Sequence, residues 1–178
     1  MTTPESATGS AAGTRIDGQD RLRRQLVEGL RGIEVHMSFD EAVADFPPGA
    51  INERPPGVPY TPWHLLEHLR ITQWDIVEYI RNPAHVSPPW PVGYWPDPTA
   101  TATPEQFRAT LDAFRADLRT LEAIVLDPAT DLLAPLPHAP QHTILREIRI
   151  IGNHNSYHVG EFAILRQVMG TWGPRHEP

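Results

Sequence analysis

Cysteine is absent from the chain, and that absence excludes more than any other feature of its composition. It rules out a disulfide scaffold, a Cys-ligated zinc finger, an iron–sulfur cluster and a cysteine nucleophile. At 178 residues no disulfide is needed, because a domain of this size buries roughly 68–70% of the surface its unfolded chain exposes. Any metal site must therefore be made from His, Asp and Glu. The lack of Cys is compatible with the cytoplasm, which is the expected location.

Positive charge is also scarce. Fifteen Lys and Arg stand against 22 Asp and Glu, for a formal charge of −7. Without a basic stripe, such a chain is poorly suited to the phosphate contacts that dominate nucleic-acid affinity, so no nucleic-acid partner is expected. Long apolar runs are missing as well; none approaches the ~20 residues of a membrane helix. Residues 1–17 lack the basic start and apolar run of a signal peptide. No membrane partner is expected. The Thr/Ser/Ala/Gly-rich stretch 1–17 reads as a disordered tail and 171–178 as a C-terminal tail, leaving 18–170 as one domain.

What is plentiful is proline, with 20 residues, and histidine, with 9. The prolines cluster, and the gaps between clusters hold the elements. A first helix is predicted over about 18–33, with Leu22, Leu26, Leu30 and Ile33 at helical spacing. Ser38 can cap a shorter helix from Phe39 to Phe46, which Pro47-Pro48 stops. Thr61-Pro62 opens a second long helix running to about Arg81, with Thr as cap and Pro at the first helical position. Residues 83–102 form a long Pro-rich loop holding Trp90, Tyr94 and Trp95, which is too aromatic for plain disorder and reads as packed on the bundle. Thr103-Pro104-Glu105-Gln106 is a capping box that opens a third long helix. Its stripe is Phe107, Leu111, Phe114, Leu118, Leu121 and Val125, the pattern of bundle packing. A fourth runs from Thr143 to about Met169 before Gly170, with Ile144, Ile148, Ile151, Asn155, His158, Phe162, Leu165 and Met169 inward. No segment shows convincing period-two alternation. The expected fold is all-α, a four-helix bundle with a long Pro/aromatic-rich loop between its second and third long helices.

The histidines carry the chemistry. His154 and His158 are four apart on the fourth long helix and so stack on one face, the spacing by which one helix offers two imidazoles to one ion. His64 and His68 repeat that spacing on the second, with His68 on a mostly apolar face. Spacing alone leaves two readings, a metal site or hydrogen-bonded core histidines. Burying several imidazoles without partners is costly, which favours coordination.

The segment Pro59-Tyr60-Thr61-Pro62-Trp63-His64-Leu65-Leu66-Glu67-His68-Leu69, together with His154-Asn155-Ser156-Tyr157-His158-Val159-Gly160-Glu161, resembles the DinB-like superfamily of small bacterial four-helix bundles. The resemblance covers roughly residues 18–170 and implies an up-down-down-up order and a homodimer. It also implies a divalent metal, nickel or zinc, held by His68, His154 and His158. Some relatives are thiol-dependent S-transferases or isomerases that use bacillithiol or mycothiol. That makes a low-molecular-weight thiol an expected cosubstrate and a small molecule the expected substrate.

The neighbouring residues have plainer readings. His64 sits a turn earlier and reads as a capping-turn or surface residue, or alternatively as a proton-transfer group. Asp75 and Glu161 are placed either to orient a ligand imidazole or as ordinary helix charges. Glu67 points away from His68; His36, His85, His138, His142 and His176 look incidental, and Trp63 and Tyr157 read as packing residues. Three neutral imidazoles would leave an ion its full charge and an open position, which is the pattern of catalytic sites. Such an ion lowers the pKa of a bound thiol or water. A thiol-dependent transferase is the leading reading, with a metal-dependent hydrolase or a non-catalytic metal- or ligand-binding stress-response protein as alternatives.

Overall fold

The computed structural model describes residues 10–173, with side chains from Gly18 onward. The ends of both expected tails, and His176 with them, lie outside the described residues. Four long helices pack together: α1 (Ser10–Arg31), α3 (Pro62–Arg81), α4 (Pro104–Leu126) and α5 (Ile144–Met169). A short α2 (Phe39–Val43) and a small hairpin of β1 (Pro135–Leu136) and β2 (Ala139–Thr143) complete the elements, with single 3-10 turns at Pro48–Ala50 and Val92–Tyr94.

The helix starts follow from their caps. Thr61 accepts a hydrogen bond from the backbone N–H of His64, Thr103 from that of Gln106, and Ser38 from that of Glu41. In each case the third helical residue reaches back to the cap, closing a capping box. In α3 that returning residue is His64 rather than the usual Glu or Gln. Thr143 caps α5, and Gly170 ends it in the left-handed conformation with φ 61°. The helix of α1 is assigned from Ser10, upstream of the expected Gly18.

Helices α4 and α5 each pack against both α1 and α3. Glu67 reaches Thr110 and Gln73 reaches Phe114, so α3 and α4 run the same way. His68 meets His158 while Gln73 meets Asn155, so α3 and α5 run oppositely. Arg31 pairs with Glu122 and Arg23 reaches Val125, so α1 and α4 also oppose. The long 83–102 connection is what lets α3 and α4 lie parallel.

The apolar core falls into two clusters. One holds Phe39, Phe46, Leu65, Leu69, Phe107, Leu111, Phe114, Val159 and Phe162. The other holds Val27, Leu30, Ile76, Leu121, Val125, Ile148 and Ile151. Between them α3 and α5 carry polar residues: His68 and Gln73 on one, His154, Asn155 and His158 on the other.

Two sequence expectations need correction. The inward face of α1 is turned by about one position: Arg23, Val27 and Leu30 are buried, whereas Leu22 and Ile33 are 37% and 58% exposed. Arg23 tolerates burial because its guanidinium caps the end of α4, donating to the carbonyls of Val125 (2.6 Å) and Thr130 (2.7 Å). The fold is also not purely helical. The β1–β2 hairpin turns through Pro137-His138, a pair without the Gly or Asn that marks tight hairpins, and its strands contain prolines that mask alternation.

A second buried arginine fastens α2 to α5. Arg166, 1% exposed, donates to the carbonyls of Ala42 (2.7 Å), Ala44 (2.8 Å) and Thr171 (2.7 Å), and lies 3.9 Å over the Trp172 ring. Arg166→Ala is expected to destabilise the protein by about 3 kcal/mol, since it removes charge-assisted bonds and strands buried carbonyls. Urea unfolding measures this; a loss below about 1 kcal/mol would mean that water replaces the guanidinium there.

Candidate metal centre

His68 is mid-way along α3, and the loop after that helix determines its orientation. Its Nδ1 lies 2.8 Å from the carbonyl oxygen of Tyr94. A carbonyl only accepts, so Nδ1 carries the proton and Nε2 is a bare lone pair. One turn apart on α5, His154 and His158 present their Nε2 atoms to the same point. Nε2 of His68 is 3.0 Å from that of His154 and 3.2 Å from that of His158. His158 donates its own Nδ1–H to Glu161 Oε2 at 2.5 Å, so its Nε2 is also bare when the ring is neutral.

Two lone pairs 3.2 Å apart cannot hydrogen-bond and repel unless a cation lies between them. Two nitrogens on one tetrahedral cation, each ~2.0–2.1 Å from it, would stand about 3.3 Å apart. The three side chains fit a metal ion in donor type, spacing and burial, and among the described residues they are the one His/Asp/Glu group of three that does so.

The electrostatics favour neutral rings at His68 and His154. Burial lowers the pKa of His68, aided by the nearby His158 and opposed by the Tyr94 hydrogen bond. For His154, burial together with the charges of His158 and His68 lowers the value to about 4. Burial works to raise Glu161, but the hydrogen bonds from His158 and Tyr60 outweigh it and hold the carboxyl below its usual value. Glu161 thus stays ionised between its two donors.

Around the triad, the loop forms a wall. The Trp95 ring stacks on His68 at 4.0 Å with 3° between planes, and Tyr60 packs against Trp95 while its hydroxyl donates to Glu161. Tyr94 is buried and donates its hydroxyl to Asp75 at 2.6 Å; the other oxygen of Asp75 meets His85 Nε2 at 2.7 Å. Asp75 therefore acts on the triad only through Tyr94, and His85, expected to be incidental, is part of the anchor. His64 is buried in the cap of α3, where it accepts from the Thr61 N–H and donates Nε2–H to the Asp97 carbonyl at 3.0 Å. It holds the loop and does not face the other three histidines. Gly93 is required at the turn, because a Cβ there would lie 2.7 Å from Pro88 Cβ and 2.8 Å from Pro89 Cδ.

Other expectations sort clearly. Glu67 turns away to Arg70 and Thr110, where Trp63 also bonds. His36 bonds Ser156, and His142 bonds Tyr79. Tyr157 is 70% exposed and packs edge-on to His158, so it borders the site rather than the core. Sequence reasoning missed Tyr60 and the placing of Trp95 over His68. Tyr60 lies in the quoted motif, but only tertiary packing shows its partner.

A family model described as the DinB superfamily matches residues 33–162, a span that includes all three histidines. The chain belongs to the DinB superfamily. Comparison with curated proteins returns no match, and comparison with solved structures returns none. This DinB protein has, among its described residues, no helix long and apolar enough to cross a membrane.

The lowered values set the direction of a pH effect. Above the ordinary histidine pKa, His154 is neutral in both folded and unfolded chains. As pH falls from about 6.5 towards 4, the unfolded chain takes up a proton that the folded site resists, so stability is lost over that window. Thermal melting of metal-free protein should therefore fall across that range. His154→Leu should flatten the fall, and an unchanged slope would show that His154 is not held neutral.

Proposed function

We propose that this DinB protein binds one divalent metal ion through His68, His154 and His158 and uses it to activate a small-molecule thiol for transfer to an electrophilic substrate. The observation that carries this reading is the convergence of three imidazole nitrogens with no fourth protein ligand among the described residues. A divalent ion so held keeps its full charge and lowers the pKa of a thiol or water bound to it.

The residues of the chain do the rest. Glu161 orients His158 through Nδ1 and, with Tyr60, forms a charged wall. Trp95 covers the face of His68 and excludes water on that side. His154 and His158 are only partly buried, so the approach is from the α5 side, where Tyr157 stands exposed. In the reaction the thiol loses its proton to solvent, the sulfur–carbon bond forms, and the substrate's leaving group departs as an anion. With no Cys in the chain the nucleophilic sulfur must arrive with the cosubstrate.

Finer parts of this reading rest on the family resemblance. Nickel or zinc suits an all-imidazole site. The up-down-down-up order is supported by the contact pairs of α3 with α4 and α5 and of α1 with α4. A homodimer and a cytoplasmic setting belong to the same proposal. A second reading, a non-catalytic metal- or ligand-binding protein, is favoured by one observation: Tyr94 is buried and Trp95 is stacked on His68, so both close the bundle there.

Two measurements test these points. Protein purified without added metal should carry about one divalent ion per chain by elemental analysis, and His154→Ala should lose it; equal metal content in both would remove the site. Low-molecular-weight thiols offered with a halogenated aromatic electrophile should show metal-dependent conjugation. No rate above that of metal-stripped protein, for any thiol, would leave the binding reading in place of the transferase.

A further inference from the structure

Asp75 is a buried carboxylate, 5% exposed, that touches none of the three histidines. Both of its oxygens are taken by the loop after α3. Oδ2 accepts from the Tyr94 hydroxyl at 2.6 Å and Oδ1 from His85 Nε2 at 2.7 Å. One residue of α3 thus gathers two separate points of one loop. A buried carboxylate is a costly fastening, because the bonds it makes must offset its desolvation. Apolar packing would also hold the loop, but without direction. The direction that Asp75 gives is what needs an explanation.

The explanation lies on the same side of α3. Asp75 follows His68 by seven residues, so the two share one face, about 10 Å apart along the helix axis. Tyr94 spans that gap, with its main chain at His68 and its hydroxyl at Asp75. All three of its polar groups are engaged. The N–H donates to the Pro91 carbonyl at 3.2 Å, the hydroxyl donates to Asp75, and the carbonyl accepts from His68 Nδ1 at 2.8 Å. Burial, with the bond to Asp75, pushes the pKa of the hydroxyl up to about 12, so it stays a donor near neutral pH. The next residue, Trp95, lies flat on the His68 ring, 4.0 Å away and 3° from parallel. Consecutive loop residues hold one imidazole by its edge and by its face.

We propose that Asp75 and Tyr94 are positioning residues for His68: the carboxylate fixes where the Tyr94 carbonyl stands, and that carbonyl fixes the orientation of the ring and the direction of its Nε2 lone pair. The inference rests on the three-histidine reading for its purpose, but the orientation of the ring does not require a metal. His85, on the other oxygen, keeps the carboxylate from turning away. Groups that stand behind a ligand in this way commonly change metal affinity by 10- to 100-fold.

The test measures zinc affinity of the full chain by chelator competition, beside urea unfolding of metal-free protein. Tyr94→Phe removes one oxygen and keeps the ring. It and Asp75→Leu should each weaken zinc binding 10- to 100-fold. Asp75→Asn, whose amide oxygen can still accept from the Tyr94 hydroxyl, should bind close to native. Arg166→Ala is the control, since it removes bonds to Ala42, Ala44 and Thr171 and should lower stability while leaving zinc affinity unchanged. A second readout needs no metal. In protein labelled with 15N in histidine, above pH 7, His68 should be the Nδ1–H tautomer with a proton slow to exchange. Tyr94→Phe should speed that exchange and Arg166→Ala should not. Native zinc affinity in both Tyr94→Phe and Asp75→Leu overturns the proposal. So does a native His68 in the Nε2–H form, or a loss of zinc affinity in Arg166→Ala as large as in Tyr94→Phe. If Asp75→Leu does not fold, Tyr94→Phe and the His68 signal decide the matter. If the native chain binds no zinc, the metal reading falls and the His68 signal alone decides. Faster exchange in Tyr94→Phe but not in Arg166→Ala then upholds the positioning role, and any other pattern overturns it.

Discussion

The meeting of the His68 Nε2 atom with those of His154 and His158, at 3.0 and 3.2 Å, is the constraint around which the rest of the molecule is arranged. Between His68 and His158, whose protons sit on Nδ1 when the rings are neutral, such a contact sets two lone pairs against each other, and an ion between them relieves it. That requirement moves outward at once, because the proton of each of these two rings is held on the far nitrogen by a group behind it. The loop after α3 serves His68 and the last turns of α5 serve His158. The geometry of the centre is therefore set by what stands behind the rings as much as by the rings themselves.

This arrangement explains why the core is divided. An apolar cluster at each end supplies the packing, and the polar layer between them would be costly if any of its groups were unpaired. Gln73 is fully buried, yet both ends of its amide are used. The two buried arginines follow the same rule at the edges of the bundle, where each is spent on backbone carbonyls that a helix end leaves open.

How much of this was readable from the sequence depended on distance along the chain. Caps at Thr61, Thr103 and Thr143, the stripe of α4 and the His154/His158 pair are local patterns, and the structure bears them out as elements and placements. His68 joined the pair through a motif. What was missed has one cause: Arg23 and Tyr60 act on partners 102 and 101 residues away, and His85 and Trp95 fold back from a loop onto α3, so no helical spacing rule reports them. A buried charged residue such as Arg23 is legible only once the carbonyls it satisfies are in place. The hairpin escaped for a different reason, since its prolines and short strands leave too few residues for alternation to show.

The loop between α3 and α4 is attached along α3 at widely spaced points: Asp97 to His64 in the first turn, Tyr94 to His68 in the middle, and both Tyr94 and His85 to Asp75 further on. In mechanical terms it is a splint lying lengthwise on the helix that carries His68. The other two candidate ligands arrive 86 and 90 residues after His68. Closing so long a stretch of chain has a large entropy cost, which only the assembled bundle can offset. The splint can dock on α3 through contacts between near neighbours in the sequence before α5 is in position. On that order of events the centre is half built early and completed last, so a bound ion would report that the whole chain has folded.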